Sequence, residues 1–91
     1  MSANPVIHVE IYLLADCPVC RYAAEVAALI SAEYPQVQVE LVEMDAPGAI
    51  IPPNVFAAPT YLLNGQRWSL GNPSPALVRQ ALSAALRQAH S

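Results

Sequence analysis

The sequence predicts an α/β fold in which helices flank a four-stranded mixed sheet, in the order β-α-β-loop-β-β-α. Three features point to it. A β-branched run at residues 6–14 is followed by an alanine-rich helical stretch and a second β-type run. Asn64-Gly65 separates two short apolar runs. Ser74-Pro75 opens a final amphipathic stretch. The 91 residues are enough for a single domain, residues 1–91.

The first run reads VIHVEIYLL, with no glycine or proline inside it. One face carries Ile7, Val9, Ile11 and Leu13. The other carries Val6, His8, Glu10, Tyr12 and Leu14, polar early and apolar late. That pattern suits a strand entering a core at its C-terminal end. Residues 18–34 predict the first helix. Pro18 fits a first turn, where its missing N–H is harmless. Ala23, Val26, Ala27 and Ile30 form one stripe, with Arg21 and Glu25 facing water, and Pro35 stops the helix. Residues 37–44 read VQVELVEM, an alternation expected of an edge strand. A strand, a helix and a strand joined by short links predict a right-handed parallel unit.

Residues 45–58 contain Pro47, Gly48, Pro52 and Pro53, which exclude a long helix and leave room for one short turn near residues 54–57. Thr60 to Leu63 and Gln66 to Leu70 flank Asn64-Gly65, a type I′ hairpin signal, so these strands are expected to be antiparallel. Ser74 is a cap and Pro75 a first helical residue. Leu77, Val78, Ala81, Leu82, Ala85 and Leu86 form the apolar stripe of the last helix, and Arg79, Gln80, Arg87 and Gln88 its wet face.

Hydrophobic residues make up 55% of the chain and charged residues 12%, with a net charge of −3. The basic side chains are Arg21, Arg67, Arg79 and Arg87, scattered and without any lysine, so no stripe can track phosphates and a nucleic-acid partner is excluded. No apolar run approaches the roughly 18 residues of a membrane span. The first residues do not read as a secretory signal, so the cytoplasm is the expected location. A monomer is expected.

Two cysteines, Cys17 and Cys20, stand at CPVC where the first strand gives way to the helix. In a reducing cytosol such a pair is rarely a structural staple. So short a loop also gains little from closure. Both arguments favour redox or metal chemistry. Unpaired N–H groups at a helix start carry about half a positive charge. That field stabilises a Cys17 thiolate and draws its pKa from about 8.5 into the range of roughly 3.5–7.5. Cys20, one turn later and expected to be more buried, is placed to attack a mixed disulfide on Cys17.

CPVC after the first strand, followed by Val55-Phe56-Ala57-Ala58-Pro59-Thr60, resembles the thioredoxin superfamily, and the compact size is closest to glutaredoxins and glutaredoxin-like small thioredoxins. The likeness runs from about Val6 to Leu86. It implies a thioredoxin-like fold whose second helix is short or missing, between Met44 and Pro59. It also implies thiol–disulfide exchange, with Cys17 as nucleophile and Cys20 as resolving thiol. Pro59 would be the family's cis-proline facing the thiols. Ala58 would offer its backbone to a substrate, with Pro18, Val19 and Thr60 completing the binding surface. No cofactor is implied. The expected partners are a disulfide-containing protein and a dithiol reductant.

The departures from the family pattern carry expectations of their own. Asp16 stands where thioredoxins have an aromatic residue, and its carboxylate opposes the helix field, so a near-neutral Cys17 is expected unless Arg21 folds back to compensate. Glutathione is a further candidate partner. Against it, Leu13, Leu14 and Ala15 supply no basic residue before CPVC, and Gly71-Asn72-Pro73-Ser74 keeps only a glycine and helix-capping groups of the family's glutathione motif.

Two other function classes stay open. One CxxC supplies two of the four ligands of a structural zinc, so a metal or iron–sulfur module needs a second chain or an outside thiol. A thioredoxin-fold interaction domain without turnover is the other. His8 reads as a strand residue, His90 as a tail residue, Tyr12 as core, Tyr22 as either a flank of the thiol pocket or a solvated helix residue, and Trp68 as packing beneath the last helix. Glu43 and Asp45 read as strand-end groups, and Glu10 as the candidate for a buried proton acceptor.

Overall fold

The computed structural model describes residues 7–89. Val6 and His90 lie outside them. Among the described residues there are four strands and two α-helices: β1 (Ile7–Leu13), α1 (Arg21–Glu33), β2 (Val37–Glu43), β3 (Thr60–Leu63), β4 (Gln66–Leu70) and α2 (Pro75–Ala89). The sheet order is β2-β1-β3-β4, with β1 and β2 parallel and the other neighbours antiparallel. The predicted architecture is therefore the observed one.

Three boundaries differ from the sequence reading. Leu14 leaves β1 and is exposed. Met44 lies in a turn, although its N–H still donates to the Leu13 carbonyl at 2.7 Å. Residues Pro18–Cys20 form a 3-10 turn, so α1 begins only at Arg21. The helix closes as Pro35 dictates. The residue before a proline is driven out of the helical region, and Tyr34 sits at φ −133° and ψ 72° while its N–H still reaches the Ile30 carbonyl.

The main core lies on one face of the sheet. Ile7, Val9 and Ile11 of β1, Ala23, Val26, Ala27 and Ile30 of α1, Tyr61 of β3, and Val78 and Leu82 of α2 form one buried cluster. Burying one such aliphatic side chain contributes about 1.5–3 kcal/mol. Arg79 on α2 forks onto Glu33 on α1, donating from Nε at 2.9 Å and from Nη2 at 2.8 Å. These bonds hold the Glu33 carboxyl below the usual carboxylate range.

Leu77 departs from the expected stripe at 53% exposed. Val78 and Leu82 take the centre of that stripe. Leu77 lies about 100° round the helix from Val78 and falls off its margin.

The opposite face is covered by chain without regular structure. Tyr12 and Leu62 pack with Val55 there, and Val42, Met44 and Ile51 lean on them. Among the described residues no helix occurs between Met44 and Pro59. The prolines that forbid a helix in this stretch still deliver Val55 and Ile51 as a lid for Tyr12.

The hairpin forms as its sequence requires. Asn64 and Gly65 have φ of 51° and 82°, both positive as a type I′ turn demands. In β4, Leu62 pairs with Arg67 but Tyr61 pairs with Ser69, leaving Trp68 as the extra residue of a bulge. Its ring meets Tyr61 edge-to-face, with centroids 5.8 Å apart and planes at 87°, and it packs on the core that holds α2.

Candidate active site

Cys17 and Cys20 are joined as a disulfide, with their Cα atoms 5.2 Å apart. Between them Pro18 and Val19 make the 3-10 turn, closed by the Cys20 N–H donating to the Cys17 carbonyl at 3.1 Å. Cys17 is the residue before this turn and has extended backbone. It stands one short turn ahead of α1, a correction to its expected place at the helix edge.

The two cysteines differ in exposure. Cys20 is 5% exposed whereas Cys17 is half-buried. Cys17 lines a shallow depression with Ala15, Asp16, Pro18 and Arg21. The acidic and the basic neighbour singled out in the sequence therefore share one hollow with the accessible thiol position. Ala15 donates its N–H to Asp45 Oδ2 at 3.4 Å, tying the chain before Asp16 to the segment after β2. Val19 is exposed at 59%, one residue from the sulfur that is closed off.

The second wall comes from residues 57–60. The Ala58–Pro59 peptide bond is cis. Ala58 is half-buried and Pro59 buried. Thr60 is fully buried, its hydroxyl donating to the Ala57 carbonyl at 2.5 Å. Thr60 pairs with Tyr12 near the C-terminal end of β1. Pro59 and CPVC are thus set at the same end of the sheet.

What joins the two walls is the segment after β4. Gly71 donates its N–H to the Pro59 carbonyl at 2.8 Å. The next residue, Asn72, donates from Nδ2 to the Val19 carbonyl at 2.7 Å, and its Oδ1 accepts the Tyr61 hydroxyl at 2.6 Å. In the sequence Asn72 stands only as part of the Gly71-Asn72-Pro73-Ser74 segment, and neither it nor Tyr61 signals a place beside the thiols. An Asn between a glycine and a proline reads as punctuation, and only the fold brings it to Val19, 53 residues earlier. Ser74 caps α2 by accepting the Leu77 N–H at 3.2 Å. Its hydroxyl oxygen is already engaged in that role.

The other candidates fall where ordinary packing puts them. Tyr12 is buried, and its hydroxyl donates to Glu10 Oε2 at 3.2 Å. Burial, followed by the nearby Glu10 charge, pushes the Tyr12 phenol up to about 12. Glu10 shares the face of β1 opposite the helices. His8 is exposed. Tyr22 lines a groove with Glu25, Val26, Leu29, Pro73 and Pro75, beside the start of α2. Among the described residues no group of three or more His, Cys, Asp or Glu side chains is clustered to hold a metal ion.

Comparison with solved structures places this arrangement. Thioredoxin O2 of Arabidopsis thaliana in its oxidised state superposes with a TM-score of 0.63 at 28% identity, over 90% of this chain and 73% of that one. Thioredoxin from Fasciola hepatica gives 0.67 at 21% identity, over 86% and 79%. The fold is that of the thioredoxin superfamily. A further thioredoxin-superfamily neighbour, thioredoxin O1 of Arabidopsis thaliana in its oxidised state, gives 0.67 at 23% identity, over 86% and 76%. No family profile and no curated protein sequence matches the chain.

Proposed function

We propose that the protein is a thiol–disulfide oxidoreductase that reduces protein disulfides by dithiol exchange. The observation that carries this reading is the Cys17–Cys20 disulfide on a thioredoxin fold, with Cys17 half-buried at a surface hollow and Cys20 buried. In the reduced protein the Cys17 thiolate attacks one sulfur of a substrate disulfide. That S–S bond breaks, the far sulfur leaves as a thiolate and takes a proton from water. Cys20, deprotonated, attacks the Cys17 sulfur. The mixed disulfide breaks, the second substrate sulfur leaves as a thiolate, and Cys17–Cys20 remains. Two electrons have passed to the substrate. An external dithiol reductant restores the pair.

Each neighbouring group has a part in this reading. Ala58 offers its backbone to an extended substrate segment. Pro18 and Val19 shape the exposed surface beside it, whereas Pro59 and Thr60 are buried and back that surface, a correction to Thr60 as a direct substrate contact. Asp16 raises and Arg21 lowers the pKa of the Cys17 thiol. A protein disulfide suits the site better than glutathione. Leu13, Leu14, Ala15 and Asp16 bring no basic side chain in front of CPVC to pair with a glutathione carboxylate. The chain is proposed to work as a monomer in a reducing compartment such as the cytoplasm. Among the described residues no helix is long and apolar enough to cross a membrane.

Reduction of insulin by the full chain, with a small dithiol as electron source, tests the reading. Turnover above the dithiol alone is expected, with a reduction potential near that of thioredoxin, about −270 mV. No turnover, or a potential near −120 mV as in a strong oxidant, contradicts it.

A further inference from the structure

The hydrogen bonds of Asn72 run in one direction, and both ends dictate it. A backbone carbonyl can only accept, so the Val19 end must meet the amide Nδ2. At the other end Tyr61 is fully buried and edge-packed on Trp68. Burial pushes its phenol up, so the hydroxyl keeps its proton and donates to Oδ1. An asparagine meets both demands at once. An aspartate of the same shape would turn a carboxylate oxygen on a carbonyl.

The place where this bond lands matters. Val19 lies between the two cysteines, in a turn whose own closure is one backbone bond of 3.1 Å from Cys20 to Cys17. A single 3-10 turn is a weak restraint by itself. While the disulfide is closed, covalent geometry holds the sulfurs together. Once it opens, as in the reduced protein and the mixed disulfide, that covalent restraint is gone and the Asn72 tether is one of those still holding residues 18–20 in their turn. The Asn72 tether leads through Tyr61 into β3, the strand that follows Pro59.

We propose that Asn72 is a positioning residue for dithiol exchange: held by the Tyr61 hydroxyl, its amide locks the Val19 carbonyl so that Cys20 stays within reach of Cys17 after the disulfide opens. This rests on the oxidoreductase reading above. The tether acts on the intramolecular step, where holding two groups in place is worth most. It does not act on the first attack by Cys17, which is bimolecular. It also favours the disulfide over the dithiol at equilibrium, because a pre-positioned pair closes more readily.

The test uses the full reduced chain, in modest excess over a symmetric aromatic disulfide that releases a coloured thiolate. The first release follows protein concentration and reports Cys17 attack. The second is concentration-independent and reports Cys20 attack on the mixed disulfide. In Asn72→Asp and Asn72→Ala the second phase is expected to slow about tenfold, with the first unchanged within about twofold. The equilibrium against glutathione is expected to move about tenfold towards the dithiol, which is about 30 mV for two electrons. Tyr61→Phe, which keeps the ring and removes the donor, should move both in the same direction by less.

Circular dichroism and Tm identify any variant that has lost its fold, and the isosteric Asn72→Asp carries the test if Asn72→Ala is lost. An unchanged second phase in folded Asn72→Asp overturns the proposal and leaves the oxidoreductase reading intact. Equal slowing of both phases also overturns it, because that marks general loosening. A wild-type protein without a concentration-independent second phase overturns the oxidoreductase reading itself.

Discussion

Gly71 donates its backbone N–H to the carbonyl of Pro59 at 2.8 Å, and it does so with a φ of +87°. The bond ties the end of β4 to the loop that precedes β3, and the positive φ turns the chain so that Asn72 comes next to Val19. No heavy atom lies within 4 Å of where a Cβ on Gly71 would sit. The need for glycine is therefore conformational, not steric. Gly71→Ala is expected to lower stability by about 1–3 kcal/mol, the usual range for an L-residue held in that region. Urea unfolding followed by circular dichroism measures it.

Packing separates two neighbouring leucines of α2. Leu82 is fully buried between the helix and the sheet, whereas Leu77 is 53% exposed. Leu82→Ala is expected to cost about 2–5 kcal/mol. Leu77→Ala should stay within about 0.5 kcal/mol of the parent. Chemical denaturation of both variants side by side checks the pair.

Asp16 and Arg21 share the hollow that Cys17 lines. Asp16→Asn is expected to lower the Cys17 pKa and Arg21→Gln to raise it. Thiolate absorbance against pH reads both shifts. The effect should shrink in high salt, as exposed charges require.

Alkaline stability follows from Tyr12. Burial, then the charge and hydrogen bond of Glu10, raises its phenol from 10.0 to about 12 in the folded protein. The protonated phenol is the form the fold prefers. Its stabilising effect is complete below pH 10 and is lost as pH climbs from there through about 12. Tyr12→Phe should flatten this part of the stability profile, measured by denaturant unfolding at successive pH values.

Much of this was readable before any coordinates. The period-two run of β1, the stripe Ala23, Val26, Ala27 and Ile30, and Asn64-Gly65 each encode one local geometry, and each formed as read. CPVC was legible for the same reason: its meaning lies in a spacing along the chain. Three features were not. The 3-10 turn at residues 18–20 is one, since Pro18 suits the first turn of a helix just as well. Leu77 has the residue type of the stripe but not its angle. Asn72 has no local signal at all, since its two partners lie 11 and 53 residues away.

The central claim is a division of labour between Cys17, the open nucleophile, and Cys20, the closed resolving thiol. Incubating Cys20→Ser and Cys17→Ser separately with one small disulfide, and weighing the intact proteins by mass spectrometry, tests it most directly. The account predicts a stable mixed disulfide on Cys17 in Cys20→Ser and little or no adduct on the buried Cys20 in Cys17→Ser. Equal adducts on both variants, or an adduct only on Cys20, would contradict it.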